Sequence, residues 1–351
     1  MRILLYADPI VPVPPPLYGG AERSIAALAA ALVSLGHEVR LLAGPGSTEG
    51  LGRLFVHHAP SESRWASRAL RKVAFQPLSL RAARGVDVVH AWGRIDYLWA
   101  MLRTSRPLVV TFQAPLDRPS IESLVRARRQ HLVLASASDF HRRDCSDLGR
   151  WLTVYNGIDL APYPRPGELR ERAARRQARL LGFVGRINPE KAPHLAAEVA
   201  RRTGHRLLIA GPIPGREPAA RSYFERAVRP FLLEGTASWI GEIDETAKID
   251  MLSQCRGFLF PIQWDEPMGM APIEANACGV PVIAARRAAT PEIVRHGVTG
   301  YLCDDLDAMT SAVERLDEID PVACRHWVDA TFSPERMAEG YIRAYREAMS
   351  A

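Results

Sequence analysis

Two carboxylates, Glu266 and Glu274, stand eight residues apart in the segment EPMGMAPIE, around a proline, a glycine and small apolar residues. Pro267 and Gly269 keep the first half of this segment out of regular helix, whereas Pro272 suits a first helical turn, where its missing N–H costs nothing. Glu266 is therefore expected on a loop and Glu274 in a helix. With Pro272 as the first helical residue, the cap position falls on Ala271, which has no side-chain oxygen for the free amides of the first turn. Such an uncapped start can bind an anion, because phosphate accepts from the amides and the helix dipole favours its charge. Carboxylates on either side of a phosphate cradle can accept from hydroxyls, one set on a sugar and one on a ribose. A buried loop running into an acidic helical turn would show the same spacing, so the rest of the chain has to decide.

Two cations stand five residues apart in Gly185-Arg186-Ile187-Asn188-Pro189-Glu190-Lys191, just beyond a strand-like run. Arginine can grip phosphate oxygens in a bidentate manner and lysine adds a point charge, so the pair could offset charge on a leaving diphosphate; a solvated loop pair is the alternative. Near the start, the proline-rich loop ADPIVPVPPPLYGGAERS delivers Gly19-Gly20 to a helix start, where the absence of side chains would let a diphosphate approach. Adjacent glycines are also an ordinary turn. The dinucleotide fingerprint GxGxxG is missing, which argues against a nicotinamide enzyme. Asp305-Leu306-Asp307 spells the DxD of metal-dependent transferases of another fold, but its place after a strand reads as a loop and helix cap.

These residues must be positioned by two sets of alternating elements. In the first half, ILLYA (3–7), EVRLLA (38–43), DVVHA (87–91), LVVTF (108–112), LVLAS (132–136) and LTVY (152–155) read as buried strands. Helical stretches are expected at 20–35, 61–84, 94–105, 119–130 and 138–147. Asn156-Gly157 gives a turn signal, followed by APYPRPGE as a linker. The pattern then restarts with LLGFVG (180–185), RLLIAG (206–211), ASWIG (237–241), GFLFP (257–261), VPVIAA (280–285) and TGYLC (299–303). A final helix begins at Ser333 as cap and Pro334 as first residue. The expected fold is α/β, two doubly wound parallel-sheet domains: 1–160, completed by the helix 333–351, and 165–332, facing each other across a cleft at their strand ends.

At 351 residues and 47% apolar composition the chain supports two well-filled cores. No run of about 18 apolar residues occurs, so a soluble cytoplasmic protein is expected. The five cysteines form no CxxC pair and have no histidine at ligand spacing. The net charge of +6 is carried by blocks at Arg64 to Arg84, Arg126 to Arg143 and Arg170 to Arg179, each most simply a solvated helix face. In the first block Arg64, Arg68, Arg71 and Lys72 interleave with Trp65, Leu70, Val73 and Phe75, a mix that would suit peripheral contact with an anionic membrane or an acidic acceptor. No nucleic-acid reading module accompanies the charge.

The segments YGGAE (18–22), YNGID (155–159), VGRINPEK (184–191) and FPIQWDEPMGMAPIEANACGVPVIA (260–284), in this order and spacing, resemble retaining glycosyltransferases of family 4 with the GT-B architecture of two Rossmann-like domains. The likeness covers essentially the whole chain and is strongest in its second half; EPMGMAPIE matches the family's E-x7-E motif. The resemblance implies that Glu266 holds donor-sugar hydroxyls, that Glu274 binds the ribose, and that Gly269, Met270 and Ala271 bring amides to diphosphate and sugar. It further implies that Arg186 and Lys191 stabilise the leaving diphosphate and that Gly19 and Gly20 face it. Residues Trp239 to Glu242, with Gly241 among them, fall where the family holds the base. The chain departs from the family at Gln113, where many members carry histidine, and at His90-Ala91-Trp92, where many carry His-x-His. Gln113, His90 and Trp92 are the candidate acceptor or sugar contacts, although His90 on an apolar strand also reads as a core histidine.

The activity that the resemblance implies is a metal-independent transfer of a sugar from a nucleoside-diphosphate sugar, UDP- or GDP-linked by preference, to a hydroxyl acceptor with retained configuration. The acceptor could be a glycan, a lipid-linked intermediate or a small natural product. No cofactor beyond the donor substrate is expected. A glycoside hydrolase would use paired carboxylates but not the cations and glycine loop. A GT-B-fold sugar-nucleotide epimerase and a nucleotide-sugar-binding pseudoenzyme are the remaining alternatives.

Overall fold

The computed structural model describes residues 1–17, 19–48, 53–56, 68–92, 94–128, 130–215 and 218–350, with the side chains at 68–71 outside the description. The chain divides into two compact units, one of residues 1–159 and 333–351 and the other of residues 160–332.

The first unit is built on seven strands: β1 (Arg2–Tyr6), β2 (Glu38–Ala43), β3 (Arg53–Val56), β4 (Val88–Trp92), β5 (Leu108–Phe112), β6 (Leu132–Ser136) and β7 (Trp151–Thr153). They form a parallel sheet in the order β3-β2-β1-β4-β5-β6-β7. The second has six: β8 (Gln177–Val184), β9 (Arg206–Ala210), β10 (Ala237–Trp239), β11 (Cys255–Phe260), β12 (Val282–Ala285) and β13 (Gly300–Cys303). Their order is β10-β9-β8-β11-β12-β13, again all parallel. Each sheet reverses its winding once, between β1 and β4 and between β8 and β11. In open α/β sheets, ligands bind at that reversal, outside the carboxyl ends of the strands.

Burial on both faces explains the uninterrupted apolar runs: β4, β5 and β6 are buried at every residue. β3 carries only the three-residue run Leu54-Phe55-Val56, half-buried, with Arg53 exposed at the sheet edge. That is why hydrophobic patterning passes over it. The helix Gly20–Ser34 matches expectation closely, whereas 94–105 and 138–147 hold only short helical turns, Ile95–Tyr97, Trp99–Leu102 and Asp139–Arg142. Asn156-Gly157 does not form a turn; the chain there is irregular, and Asn156 is 2% exposed.

The last helix, Pro334–Ser350, packs within the first unit. Met337, Tyr341, Ala344, Tyr345 and Ala348 recur at helical spacing and are all buried against the helix Gly20–Ser34 and β4, β5 and β6. Gly340 permits this approach, since a Cβ there would come within 2.8 Å of Val154.

The basic blocks largely resolve into local pairs. Arg172 meets Glu168 at 3.2 Å, Arg175 meets Glu171 at 2.5 Å and Arg170 meets Asp320 at 2.9 Å, as on a solvated helix face. In the first block Lys72 pairs with Asp96 at 2.5 Å, Val73 is exposed and Phe75 is fully buried. Arg64 and Trp65, and the side chains of Arg68, Leu70 and Arg71, lie outside the described residues. Among the described residues no helix is long and apolar enough to cross a membrane. All five cysteines are buried and free.

Candidate functional site

The reversal between β8 and β11 puts two loops side by side at the carboxyl ends of adjacent strands. The first, from Gly185, is folded by Asn188, whose Oδ1 accepts from the Lys191 amide at 3.0 Å while its Nδ2 donates to Glu190 at 3.1 Å. Ala192 then adopts a left-handed conformation and Pro193 opens the helix Pro193–Arg202. The second loop follows β11 from Pro261. The two are laced together by the Gln263 amide, which donates to the Glu190 carbonyl at 2.7 Å.

This lacing brings Lys191 to Glu266. They form an ion pair, both largely buried, with Nζ on Oε2. The indole N–H of Trp264 donates to the same Oε2 at 2.7 Å, and Lys191 Nζ lies 5.3 Å from the Trp264 ring and 5.8 Å from that of Phe260. Arg186 is half-exposed at the loop's start, loosely opposite Glu190 at 3.8 Å.

Beyond Glu266 the helix runs Met270–Ala277, starting ahead of the Pro272 that the sequence implied, and its cap is Gly269 rather than Ala271. The shift follows from backbone geometry: Gly269 has φ 93°, a region open to glycine, which lets the chain turn into the helix sooner. The cap still has no side chain, so the first-turn amides of Met270 and Ala271 receive no side-chain cap. Glu274, in the second turn, is 5% exposed, and its Oε1 accepts from Lys248 Nζ at 2.6 Å.

Lys248 was not singled out by its sequence position. It belongs to the helix Glu245–Gln254, capped by Asp244, and also donates to Glu245 at 2.9 Å. Tyr163 donates from its hydroxyl to the other oxygen of Glu245 at 2.7 Å. Burial alone would lower the ammonium's pKa, but Glu274 and Glu245 outweigh it and the net shift is upward. Burial, with the neighbouring carboxylates, raises the Tyr163 phenol well above its usual range. The legible signal for Lys248 is a lysine on the buried face of a helix, beside Ile249, Met251 and Leu252.

Gly241 sits just beyond β10 with φ 80°, its carbonyl accepting from the Gly211 amide at 2.7 Å. Trp239 packs on Phe224 with ring centres 4.9 Å apart and donates to the Gly211 carbonyl at 2.9 Å. Gly211 is a position the sequence did not flag: a Cβ there would lie 1.9 Å from the Gly185 carbonyl oxygen. Only glycine allows the strand ends of β8, β9 and β10 to close up at this point. At the other end of the same sheet, a cavity of about 660 Å³ is lined by Arg176, Arg179, His205 and Arg256, away from the two loops.

In the first unit, Gly19 caps the helix Gly20–Ser34 with φ 155°, and a Cβ would fall 2.7 Å from Pro15 Cγ and 3.0 Å from Glu22 Oε2. Gly20 begins the helix. The loops after β1 and β4 are tied by Arg94 and Asp8 at 2.5 Å. Burial raises the pKa of Glu22 in this first turn.

The three candidate contacts of this unit have other engagements. His90 is fully buried, with Nδ1 2.8 Å from the Tyr345 hydroxyl and Nε2 2.8 Å from Thr111 Oγ1. Thr111 bonds onward to Tyr341 at 3.1 Å, so both ring nitrogens of His90 have partners within the core. Burial lowers its pKa to about 3. The expectation that His90 touches an acceptor is thus corrected: it is a satisfied core residue that seats the last helix. Trp92 is buried as well, 6% exposed and packed 5.7 Å from Tyr341, but its indole N–H has no hydrogen-bond partner among the described residues. Gln113 exchanges a reciprocal amide pair with Asn156, at 3.0 and 2.7 Å, which joins two segments that sequence spacing left unrelated.

Asp305 caps the helix Leu306–Glu314 by accepting from Ala308 at 2.7 Å, and Asp307 pairs with Arg202 at 2.7 Å. Among the described residues no three histidine, cysteine, aspartate or glutamate side chains gather as a metal site.

The two halves of the chain each have counterparts among known proteins. Residues 18–162 match the profile described as Glycosyltransferase Family 4, and residues 167–320 match that described as Glycosyl transferases group 1. D-inositol 3-phosphate glycosyltransferase of Mycobacterium tuberculosis is 29% identical over 222 residues, covering 58% of this chain. The match spans 45% of the length of that relative. Among solved structures, sucrose-phosphate synthase of Thermosynechococcus elongatus aligns with a TM-score of 0.78 at 19% identity, covering 100% of both chains. Anabaena HepE in complex with UDP and glucose aligns with a TM-score of 0.74 at 16% identity, covering 99% of this chain and 100% of its own. A glycosyltransferase involved in avilamycin A biosynthesis aligns with a TM-score of 0.72 at 21% identity, covering 100% of this chain and 98% of its own. These likenesses establish the fold as GT-B.

Proposed function

The chain belongs to glycosyltransferase family 4, and from that membership we propose that it transfers a sugar from a nucleoside-diphosphate sugar to a hydroxyl acceptor with retained anomeric configuration. The observation that carries this reading is the convergence of the Lys191–Glu266 pair, Arg186 and the uncapped helix start at Gly269 on one strand reversal. Those are the charges and donors that a sugar diphosphate needs.

In the proposed site the amides of Met270 and Ala271 take a phosphate, aided by the dipole of the helix Met270–Ala277. Glu266 accepts from donor-sugar hydroxyls, Glu274 from the ribose, and the base lies toward Gly241. As the acceptor oxygen bonds to the anomeric carbon, the bond from that carbon to the diphosphate breaks. The acceptor's proton passes to the departing phosphate oxygen on the same face. Arg186 and Lys191 neutralise the charge that accumulates there, so positioning and electrostatics supply the acceleration without an enzymic nucleophile or a metal.

The HepE structure contains UDP and glucose, which supports a nucleotide-sugar donor, and we favour UDP or GDP. The mycobacterial relative is described as acting on D-inositol 3-phosphate, which supports including small anionic hydroxyl acceptors beside glycans and lipid-linked intermediates. Peripheral contact with anionic membrane is proposed on the basic first block alone; failure of anionic liposomes to retain the protein would remove it.

A thermal-shift screen of UDP, GDP, ADP and dTDP with their common sugars, on wild type and Glu274→Ala, tests the donor site. Ligand at a hundredfold excess over Kd adds about 2.7 kcal/mol, a shift of several degrees. One nucleotide class is expected to raise the wild-type Tm and to do so less in the variant. If none does, the donor-site reading fails.

A further inference from the structure

We propose that Lys248 is a positioning residue of the donor site: its ammonium clamps Oε1 of Glu274 and thereby presents Oε2 to the vicinal hydroxyls of the donor's ribose. This rests on the donor-site reading of the proposed function and extends it to a residue outside both the E-x7-E segment and the phosphate-facing cations.

Lys248 is 8% exposed, and its Nζ bridges Glu274 Oε1 at 2.6 Å and Glu245 Oε2 at 2.9 Å. Tyr163 secures the far oxygen of Glu245 at 2.7 Å and is itself 4% exposed. The chain Tyr163–Glu245–Lys248–Glu274 thus joins three separate segments of the second unit. An ammonium between two carboxylates leaves one negative charge in excess, and apolar side chains would fill the same space at less desolvation cost. Removing the lysine would leave the buried Glu274 carboxylate beside the partly buried one of Glu245, two like charges that repel one another, so Glu274 could not keep its present position. With the lysine, Glu274 has one oxygen fixed by a charge-assisted bond. Among the described residues no hydrogen bond reaches its Oε2. An immobilised carboxylate with one unspent oxygen is suited to accept from a diol, and it penalises a ligand that lacks one by leaving that oxygen unpaired.

The test is calorimetric binding of UDP and GDP against their 2′,3′-dideoxy counterparts. Wild type is expected to prefer the ribonucleotide by roughly tenfold or more. Lys248→Met should bring that preference close to one, and Lys248→Arg should restore part of it. In a Glu274→Gln background, which also relieves the buried charge, Lys248→Met should change the preference no further. Glu245→Gln keeps the ammonium and loosens its second anchor, so it serves if Lys248→Met does not fold; it should lower the preference by a few fold. A preference unchanged in Lys248→Met or Glu245→Gln, with only Tm reduced, would make the network merely structural and overturn the proposal. Equal binding of ribo and dideoxy forms by wild type would overturn it too, while leaving the transferase reading standing. Only a failure of wild type to bind any nucleotide would sink both.

Discussion

Lys191 and Glu266, 75 residues apart in the chain, are joined as a buried ion pair whose carboxylate oxygen is shared with the indole N–H of Trp264. The cation proposed to meet a leaving diphosphate and the carboxylate proposed to hold the sugar thus neutralise one another in the free protein. A bound donor would have to redistribute that pairing, drawing the ammonium toward phosphate and freeing carboxylate capacity for hydroxyls.

Lys191→Ala is expected to reduce kcat much more than donor affinity, because the charge matters most as the diphosphate departs. It also strands the buried Glu266 carboxylate, at a cost of about 3–5 kcal/mol in stability. Chemical denaturation should show that loss and its substantial recovery in Lys191→Met/Glu266→Gln. An equal fall in kcat and affinity would indicate simple ground-state binding.

Trp264→Phe removes the N–H that steadies Glu266 but keeps most of the ring's volume. A hydrogen bond to a charged group is worth about 1.5–3 kcal/mol, so kcat/KM should drop by roughly tenfold to a hundredfold. Because the bond is already made in the free protein, Tm should fall as well, by several degrees. Unchanged kinetics would remove Trp264 from the site.

Gly211→Ala should be severely destabilising, since the methyl group would overlap the Gly185 carbonyl at 1.9 Å and the backbone has φ 142°. Gly36→Ala is the control: its φ is 80°, yet nothing lies within 4 Å of the added carbon, so only backbone strain of about 1 kcal/mol remains. Comparable urea midpoints for the two variants would contradict the packing argument at the β8, β9 and β10 ends.

His90 gives stability a defined pH dependence. Burial holds its folded pKa near 3, below the ordinary value of about 6.5, so between these limits the unfolded chain binds a proton that the folded chain refuses. Its contribution is complete above about pH 6.5 and is lost on acidification, at up to about 1.4 kcal/mol per pH unit. Burial likewise lowers the pKa of His141, His194 and His205, which act in the same direction. His90→Gln is expected to shrink the stability loss between pH 7 and pH 5 by about 2 kcal/mol. An identical pH profile would show that His90 is not held neutral.

The amino-acid sequence by itself determined the fold class, because strands buried on both faces have to be predominantly apolar and helices between them have to be periodic. β4, β5, β6 and the helix Gly20–Ser34 were legible for that reason, and so were the helix caps Asp305 and Ser333, whose partners lie within three residues. The loop place of Glu266 and the helical place of Glu274 followed from proline and glycine chemistry, which is equally local. β3 was not legible, since its apolar run at the sheet edge is only three residues long. Neither was the cap at Gly269, where positive φ moved the helix start.

Tertiary structure alone decided who meets whom. Lys248 lies 26 residues from Glu274, Gln113 lies 43 from Asn156, and His90 lies 255 from Tyr345. No local periodicity encodes such pairings; strand order and helix docking do. The same rule explains why Gly211 read only as the last residue of a strand run: its constraint comes from the carbonyl of Gly185 on the neighbouring strand's end, which a one-dimensional reading cannot bring into contact.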